Sequence, residues 1–447
     1  RCNWTNYKIL SVPWQGITNM RAPAYWRFLL VALLAGVFFF GLSGQRPAHA
    51  GGPLLVGGAP LGFGPDAQPF TWDTTNPINY TTDGGMLGTL SETEANDRVA
   101  TMFQVWEDVS TATIGFNRAG SIMSAGVFTD GDVDTMEEFD AVEGSCNSRT
   151  QSPIVYDADG SLFDDLVGDP NVIGFAGICF LALDSSGRIN AAIAALNGKF
   201  QDGVGPAPGD PELTANEFDA VFIHEFGHFF GLDHSQINQE CLASLGGCLD
   251  GSDEAFALPT MFPFLIRGLE ESMGVHPART LARDDIAWVS RLYPVLPDFN
   301  DNFGTITGTI FFSDMETPVQ GVNVIARNVA DARIAISVVS GFLFTGNPGQ
   351  SVTGTNPGSS FGSRDPTRIG SYEIPGLPPG DYTIEVESIN PAFDGGSSVG
   401  PLNPPIPMPG TAPSPVGPFV VSAGGTVTGG TNITLVGTPP RFDQFER

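Results

Sequence analysis

The stretch "VFIHEFGHFFGLDH", residues 221–234, gathers three of the five histidines of a 447-residue chain into eleven consecutive positions. On a helix, His224 and His228 lie four residues apart and face the same way, so two imidazoles can share one metal ion. Glu225 stands beside the first of them, within reach of a water at that metal, which is the mechanical content of a His-Glu-x-x-His pattern. Gly231, without a Cβ, can end the helix in a sharp turn and so return His234 as a third ligand. Three neutral imidazoles leave the fourth position of a tetrahedral zinc open, the catalytic rather than the closed structural arrangement. The competing reading is a Phe-rich core helix whose histidines are satisfied by hydrogen bonds. The five-residue motif alone is common; Gly231 and His234 at this spacing make coincidence a poor account. His276, the one other histidine beyond position 50, reads as an ordinary surface or loop residue.

The elements that must position these groups are legible as patterns. Thr214 and Glu217 form a capping box, and Phe218, Val221, Phe222, Phe226 and Phe229 give the motif helix a buried face. Upstream, "SETEANDRVATMFQVWEDV" (91–109) predicts a helix with Ser91 and Glu94 as its capping box and Val99, Met102, Phe103 and Trp106 on one face. Strands are expected at 77–83, 113–119, 152–160, 171–183 and 189–198. Residues 235–275 are loop-rich. "TLARDDIAWVSRLYP" (280–294) predicts an amphipathic helix whose first-turn Asp284 and Asp285 complement the helix dipole. The character changes near Pro297: short β-type runs at 304–312, 321–328, 370–389 and 424–437 alternate with Gly/Pro/Ser-rich loops at 345–366 and 391–418, and no helix is expected. This predicts a second, all-β domain.

Composition narrows the function classes. The net charge is −29, and positions 1–50 hold five basic and no acidic residues, leaving 15 basic against 49 acidic side chains beyond them. Such a balance argues against nucleic acid or an anionic membrane as partner. It suits an exported protein, either binding calcium through carboxylates or simply acidic for solubility. The N-terminus reads as an export signal: Met20 flanked by Arg21 and Arg27, the apolar run "FLLVALLAGVFFFGLSG", and "AHA" at 48–50 before Gly51. The run is short for a membrane span, although an uncleaved anchor is the alternative. Residues 1–19 read as sequence upstream of the start. Beyond the signal stand Cys146, Cys179, Cys241 and Cys248. An even number in an exported chain favours disulfides, with Cys241–Cys248 closing "CLASLGGC" and Cys146–Cys179 as the other pair; free buried thiols are the alternative.

"HEFGHFFGLDH" matches the HExxHxxGxxH pattern of the metzincin metallopeptidases. Within that clan the chain most resembles the matrixins and their bacterial relatives. "MFQVWEDVSTATIGF" (102–116) is similar to the matrixin first helix and following strand, "LPTMFP" (258–263) to the methionine turn, and "RDDIAWVSRLYP" (283–294) to the final helix. The resemblance spans about residues 70–295. It implies an α+β metzincin-type catalytic domain, a twisted mixed sheet with long helices and zinc in the cleft. It also implies a zinc endopeptidase acting on proteins or peptides, secreted if the export signal acts: His224, His228 and His234 bind one zinc, a zinc-activated water attacks, Glu225 is the general base, and Met261 supports the site without ligating. By the same analogy, the strand around 189–197 pairs with extended substrate and the segment after Met261 shapes the pocket beyond the cut. Phe262 stands where matrixins usually carry Tyr. Pro263 stands where astacin-like and serralysin-like members carry a Tyr that assists at zinc, so that helper is absent. There is no cysteine between residue 51 and Cys146, so latency by a cysteine switch is not supported.

"DADGSLFDD" (157–165) sets Asp157, Asp159, Asp164 and Asp165 around a glycine, either a calcium site of the kind matrixin-like domains carry or an Asp/Gly turn. "TDGDVD" (129–134) is a weaker version of it. Residues 304–389, with a last strand at 424–436, resemble the carboxypeptidase regulatory-like, transthyretin-like β-sandwich, a module without catalytic residues. The expected organisation is upstream residues and signal at 1–50, a loose lead-in at 51–69, the catalytic domain at 70–296, a linker at 297–303, the β-sandwich at 304–437 and a tail at 438–447. The expected protein is a monomer with no stable membrane span after signal cleavage. The alternative from another class is an extracellular adhesion or matrix-binding protein with a catalytically weak metzincin domain; an aminopeptidase or another zinc hydrolase is a third.

Overall fold

The computed structural model describes residues 7–8, 52–55, 68–123, 130–147, 151–182, 186–205, 212–235, 237, 258–267, 276–319, 321–341, 370–388 and 413–437. The apolar run and cleavage pattern of the expected signal, and Cys241 and Cys248, lie outside them. A two-residue strand, β1 (Tyr7–Lys8), pairs antiparallel with β7 (Phe264–Leu265).

A five-stranded sheet organises residues 78–197. Its strands are β2 (Ile78–Thr82), β3 (Phe116–Ser121), β4 (Pro153–Asp157), β5 (Gly174–Leu181) and β6 (Ile189–Asn197), in the order β3-β2-β4-β6-β5. Four run parallel, and β5 lies antiparallel on the edge beside β6. The inner strands β4 and β6 are covered on both faces, which is why they do not read as alternating strands. Along β4, Ile154 and Tyr156 enter the main core, while Val155 enters a second cluster with Phe139, Val142, Phe163 and Phe175. The second cluster lies under α2 (Met136–Asn147) and α3 (Ser161–Leu166), and a disulfide joins Cys146 of α2 to Cys179 of β5.

The main face carries α1 (Glu92–Glu107) and α4 (Ala215–Phe229), both opened by the expected capping boxes. Phe103 stacks on Phe226 with ring centroids 3.8 Å apart, and the Trp106 indole N–H donates to Ile223 O at 2.9 Å. Asp219 of α4 ties three segments together: its carboxylate takes Arg98 Nε of α1 at 2.5 Å and Arg279 Nε at 2.9 Å. Arg98 also lies over the rings of Phe218 and Phe222.

Two helices follow, α5 (Arg283–Leu292) and α6 (Asp298–Asn302), the latter falling where a plain linker is expected. The C-terminal strands are β8 (Gly304–Phe311), β9 (Asn323–Asn328), β10 (Ala335–Val339), β11 (Ser371–Leu377), β12 (Gly380–Glu387), β13 (Val416–Val421), β14 (Thr426–Val427) and β15 (Ile433–Thr434). They form one sheet in the order β10-β9-β12-β13 and another of β11-β8-β14, with β15 also on β8. Ile306, Ile374, Val324, Ile336 and Ile384, drawn from both sheets, share one apolar cluster, and that cluster continues into the core beneath α4.

Some expectations need correction. The helix over 136–147 is missing from the expected elements, although its capping box was there to be read: Thr135 Oγ accepts the Glu138 N–H at 3.3 Å and Glu138 Oε2 accepts the Thr135 N–H at 3.1 Å. The single strand expected at 424–437 is two two-residue strands parallel to β8. Part of the expected loop 391–418 opens β13, and β10 falls in a segment with no expected element.

Replacing Asp219 by alanine strands two guanidinium groups at a largely buried junction. The unfolding free energy is expected to fall by about 3 kcal/mol, read by guanidinium denaturation at constant zinc. Glu143 on α2 supplies a pH test. Burial first, and Asp140 second, raise its carboxyl from the ordinary 4.5 to about 7. The folded chain therefore holds a proton that the unfolded chain releases, and stability declines as pH rises from about 4.5 to about 7. Glu143→Gln is expected to flatten that decline and gain on the order of 1 kcal/mol at pH 8, discounted for the group's remaining solvent exposure.

Candidate metal centre

The site is built by one helix and the turn after it. Thr214 Oγ accepts the Glu217 N–H at 3.1 Å and Glu217 Oε2 accepts the Thr214 N–H at 2.9 Å, fixing the start of α4. Every residue from Glu217 to Phe229 is buried. The helix stops at Phe230. Gly231 then adopts φ +105°, a left-handed conformation that disfavours any side chain, and the chain doubles back with the Leu232 N–H donating to Gly227 O at 2.8 Å. Asp233 accepts the His234 N–H at 2.7 Å.

The turn brings all three histidines together. Their Nε2 atoms lie 3.0 Å (His224–His234), 3.1 Å (His224–His228) and 3.0 Å (His228–His234) apart, and all three rings are buried. His224 Nδ1 stands 2.7 Å from Thr260 O and His228 Nδ1 2.8 Å from Leu232 O. A carbonyl only accepts, so both Nδ1 atoms carry the proton and both Nε2 atoms present lone pairs to the centre of the cluster. Lone pairs so close repel unless a cation lies among them. Ligand atoms of tetrahedral zinc stand about 3.3 Å apart, so the cluster needs only a slight opening to hold the ion. Burial, with His228 second, pushes His224 well below its ordinary pKa, and burial lowers His228 to about 4. Burial first, then His228 and His224, lowers His234 as well. Neutral imidazoles are the form that binds metal.

Glu225 completes the set. Its carboxylate is buried, neither oxygen has a hydrogen-bond partner, and burial raises its pKa well above the ordinary carboxylate value. An orphaned buried acid is costly unless the site supplies a partner. Gly174, the first residue of β5, lies against it. Met261 is buried under α4, where a Cβ at Gly227 would collide with its sulfur.

The second layer is where sequence reasoning fell short. Asp284 and Asp285, read only as first-turn acids that complement the helix dipole, are buried. Asp285 accepts the N–H groups of Thr260 at 2.9 Å, Met261 at 3.1 Å and Ala282 at 2.8 Å. It thereby fixes the turn whose Thr260 carbonyl faces His224. Burial raises Asp285 to about 6; burial, with Asp285 second, raises Asp284 to about 7. A closing Asp-Asp pair looks the same in sequence whether it faces water or the core. His276 also departs from expectation: it is buried, with Nε2 3.0 Å from Ile266 O.

The acidic candidates do not assemble into a group of ligand oxygens. Asp157 accepts the N–H groups of Gly160 at 2.9 Å and Phe163 at 2.8 Å, Asp159 accepts the Ser161 N–H at 3.0 Å, and Asp164 lies 3.9 Å from Lys199 Nζ. These are turn and helix-entry bonds. Among the described residues, the one group able to hold a metal is His224, His228 and His234.

A mixed sheet beneath a buried helix, with three convergent imidazoles and an adjacent carboxylate, defines a metallopeptidase-like centre suited to zinc. Residues 71–248 match the matrixin family, which supports a metzincin-like metallopeptidase. No curated protein matches the chain. Among the described residues no helix is long and apolar enough to cross a membrane.

If the cluster is the metal site, the purified chain carries one zinc, and His228→Ala loses stoichiometric zinc while retaining its far-ultraviolet circular dichroism. Elemental analysis after dialysis against a weak chelator checks this; a variant that keeps its zinc contradicts it.

Proposed function

We propose that this chain is a secreted zinc endopeptidase that hydrolyses internal peptide bonds of protein substrates. The observation that carries the reading is the pairing of three convergent Nε2 atoms with the partnerless, buried carboxylate of Glu225. Bound zinc supplies a Lewis-acid position that polarises the scissile carbonyl. His224, His228 and His234 hold that ion, and the carbonyls of Thr260 and Leu232 orient two of the three rings. Glu225 takes the proton of the attacking water and delivers it to the leaving amine.

Strand β5 supports an extended substrate. It lies on the sheet edge, begins against Glu225 and pairs only with β6 among the described residues. The strand at 189–197, expected to bind substrate, is β6, and both of its edges are taken by β4 and β5. The substrate-pairing role therefore passes to 174–181, where backbone donors and acceptors face outward and a peptide can add as a further strand.

Secretion is part of the proposal; the Cys146–Cys179 disulfide favours an oxidising compartment. The C-terminal strands are read as a carboxypeptidase regulatory-like sandwich, supported by their two sheets and shared core.

Zinc-loaded protein is expected to cleave a denatured protein substrate at internal bonds, with loss of cleavage on chelation. Glu225→Ala is expected to lower kcat by about 100- to 10,000-fold with zinc content unchanged. Cleavage confined to chain ends would replace the endopeptidase reading with an exopeptidase one. Zinc bound at one equivalent without cleavage of any substrate would favour the adhesion alternative.

A further inference from the structure

Two adjacent acids at the start of α5 face different parts of the molecule. Asp285 holds the Thr260–Met261 turn. Asp284 reaches the other way: its Oδ1 accepts the Ser337 N–H of β10 at 2.7 Å, and its carboxylate lies beside the Ser235 side chain. Ser235 directly follows the third histidine, and its own N–H donates to Met261 O at 2.7 Å. One turn further along α5, the Trp288 indole N–H donates to Ser337 O at 2.9 Å. The peptide groups of one β10 residue are thus clasped by two α5 side chains four positions apart, on the edge of the sheet away from β9.

The apolar contacts follow the same route. Ile237, three residues past His234, is buried with Ile325 of β9 and Ala335 of β10. Gly376 of β11 sits so close to Ala287 that an added Cβ would clash with the helix, and Arg291 lies 3.6 Å from Glu373.

We propose that Asp284 is a positioning residue through which the C-terminal sheets hold Ser235, and with it His234, in place to bind the metal. On this view the C-terminal strands complete the metal centre from behind and are not a detachable accessory. The inference rests on the zinc-site reading above.

The test uses the full chain and reads zinc affinity by competition with a chromophoric chelator, with folding followed by near-ultraviolet circular dichroism. Asp284→Ala is expected to weaken zinc binding about 10- to 100-fold. Asp284→Asn, which keeps an acceptor for the Ser337 N–H, is expected to restore most of it. Trp288→Phe touches only the sheet side of the clasp and guards against Asp284→Ala failing to fold. It is expected to weaken zinc by a few fold, and its effect should not add to that of Asp284→Ala, since both act through Ser337. A folded Trp288→Phe chain with unchanged zinc affinity overturns the inference, as does a folded Asp284→Ala chain that binds zinc normally. A wild-type chain that binds no zinc instead overturns the reading of the site itself.

Discussion

The Nε2 lone pairs of His224 and His228 face each other at 3.1 Å, with His234 Nε2 3.0 Å from both, an arrangement that is costly unless a cation or a proton lies among them. Two of the rings are locked in the repelling orientation by carbonyls at their far sides, so rotation cannot relieve them. The surrounding structure therefore has to be stiff enough to hold the cluster before the ion adds its own binding energy. That requirement accounts for much of what surrounds α4. The capping box sets where the helix begins, Asp219 sets how it lies against α1 and the 277–279 turn, and Gly231 sets where it stops.

The same stiffness explains why this region is both apolar and rich in buried acids. Phe103, Phe226 and Trp106 exclude water and fix helix spacing through stacked rings and one indole hydrogen bond. Excluding water makes every unpaired polar group expensive. Asp219 and Asp285 meet that cost with ion pairs or several N–H donors each, and in doing so bolt neighbouring segments together. Among the buried carboxylates of the described residues, only that of Glu225 has oxygens without a hydrogen-bond partner. A native structure tolerates such a group where a ligand or reaction uses it.

The local parts of this design were legible in the sequence. Capping boxes, the four-residue histidine spacing and the glycine before His234 are short-range patterns, and the helices they imply form near the expected limits. What could not be read depends on partners far along the chain. The runs 171–183 and 189–198 are both apolar, and nothing in either says which becomes the sheet edge; that is decided by β4 taking one side of β6. The burial of Asp284 and Asp285 depends on Ser337 and Thr260, 53 and 25 residues distant. The acids of 157–164 carried the opposite ambiguity, since a calcium loop and an Asp turn share composition, and the structure spends those carboxylates on backbone N–H groups and Lys199.

The continuity of the core bears on how the two halves of the chain relate. A hinged accessory domain meets its neighbour through a modest, polar interface. Here one apolar cluster runs from Phe70 through the residues beneath α4 to Leu435, and α5 lies between the metal turn and the edge of β10. A helix whose one acid fixes the metal turn, and whose adjacent acid fixes a strand edge, cannot shift toward either without disturbing the other. The edge of β10 gains from the arrangement too, because an uncovered strand edge invites pairing with other chains. The turn facing the histidines and the edge of β10 are thus held by the same short helix.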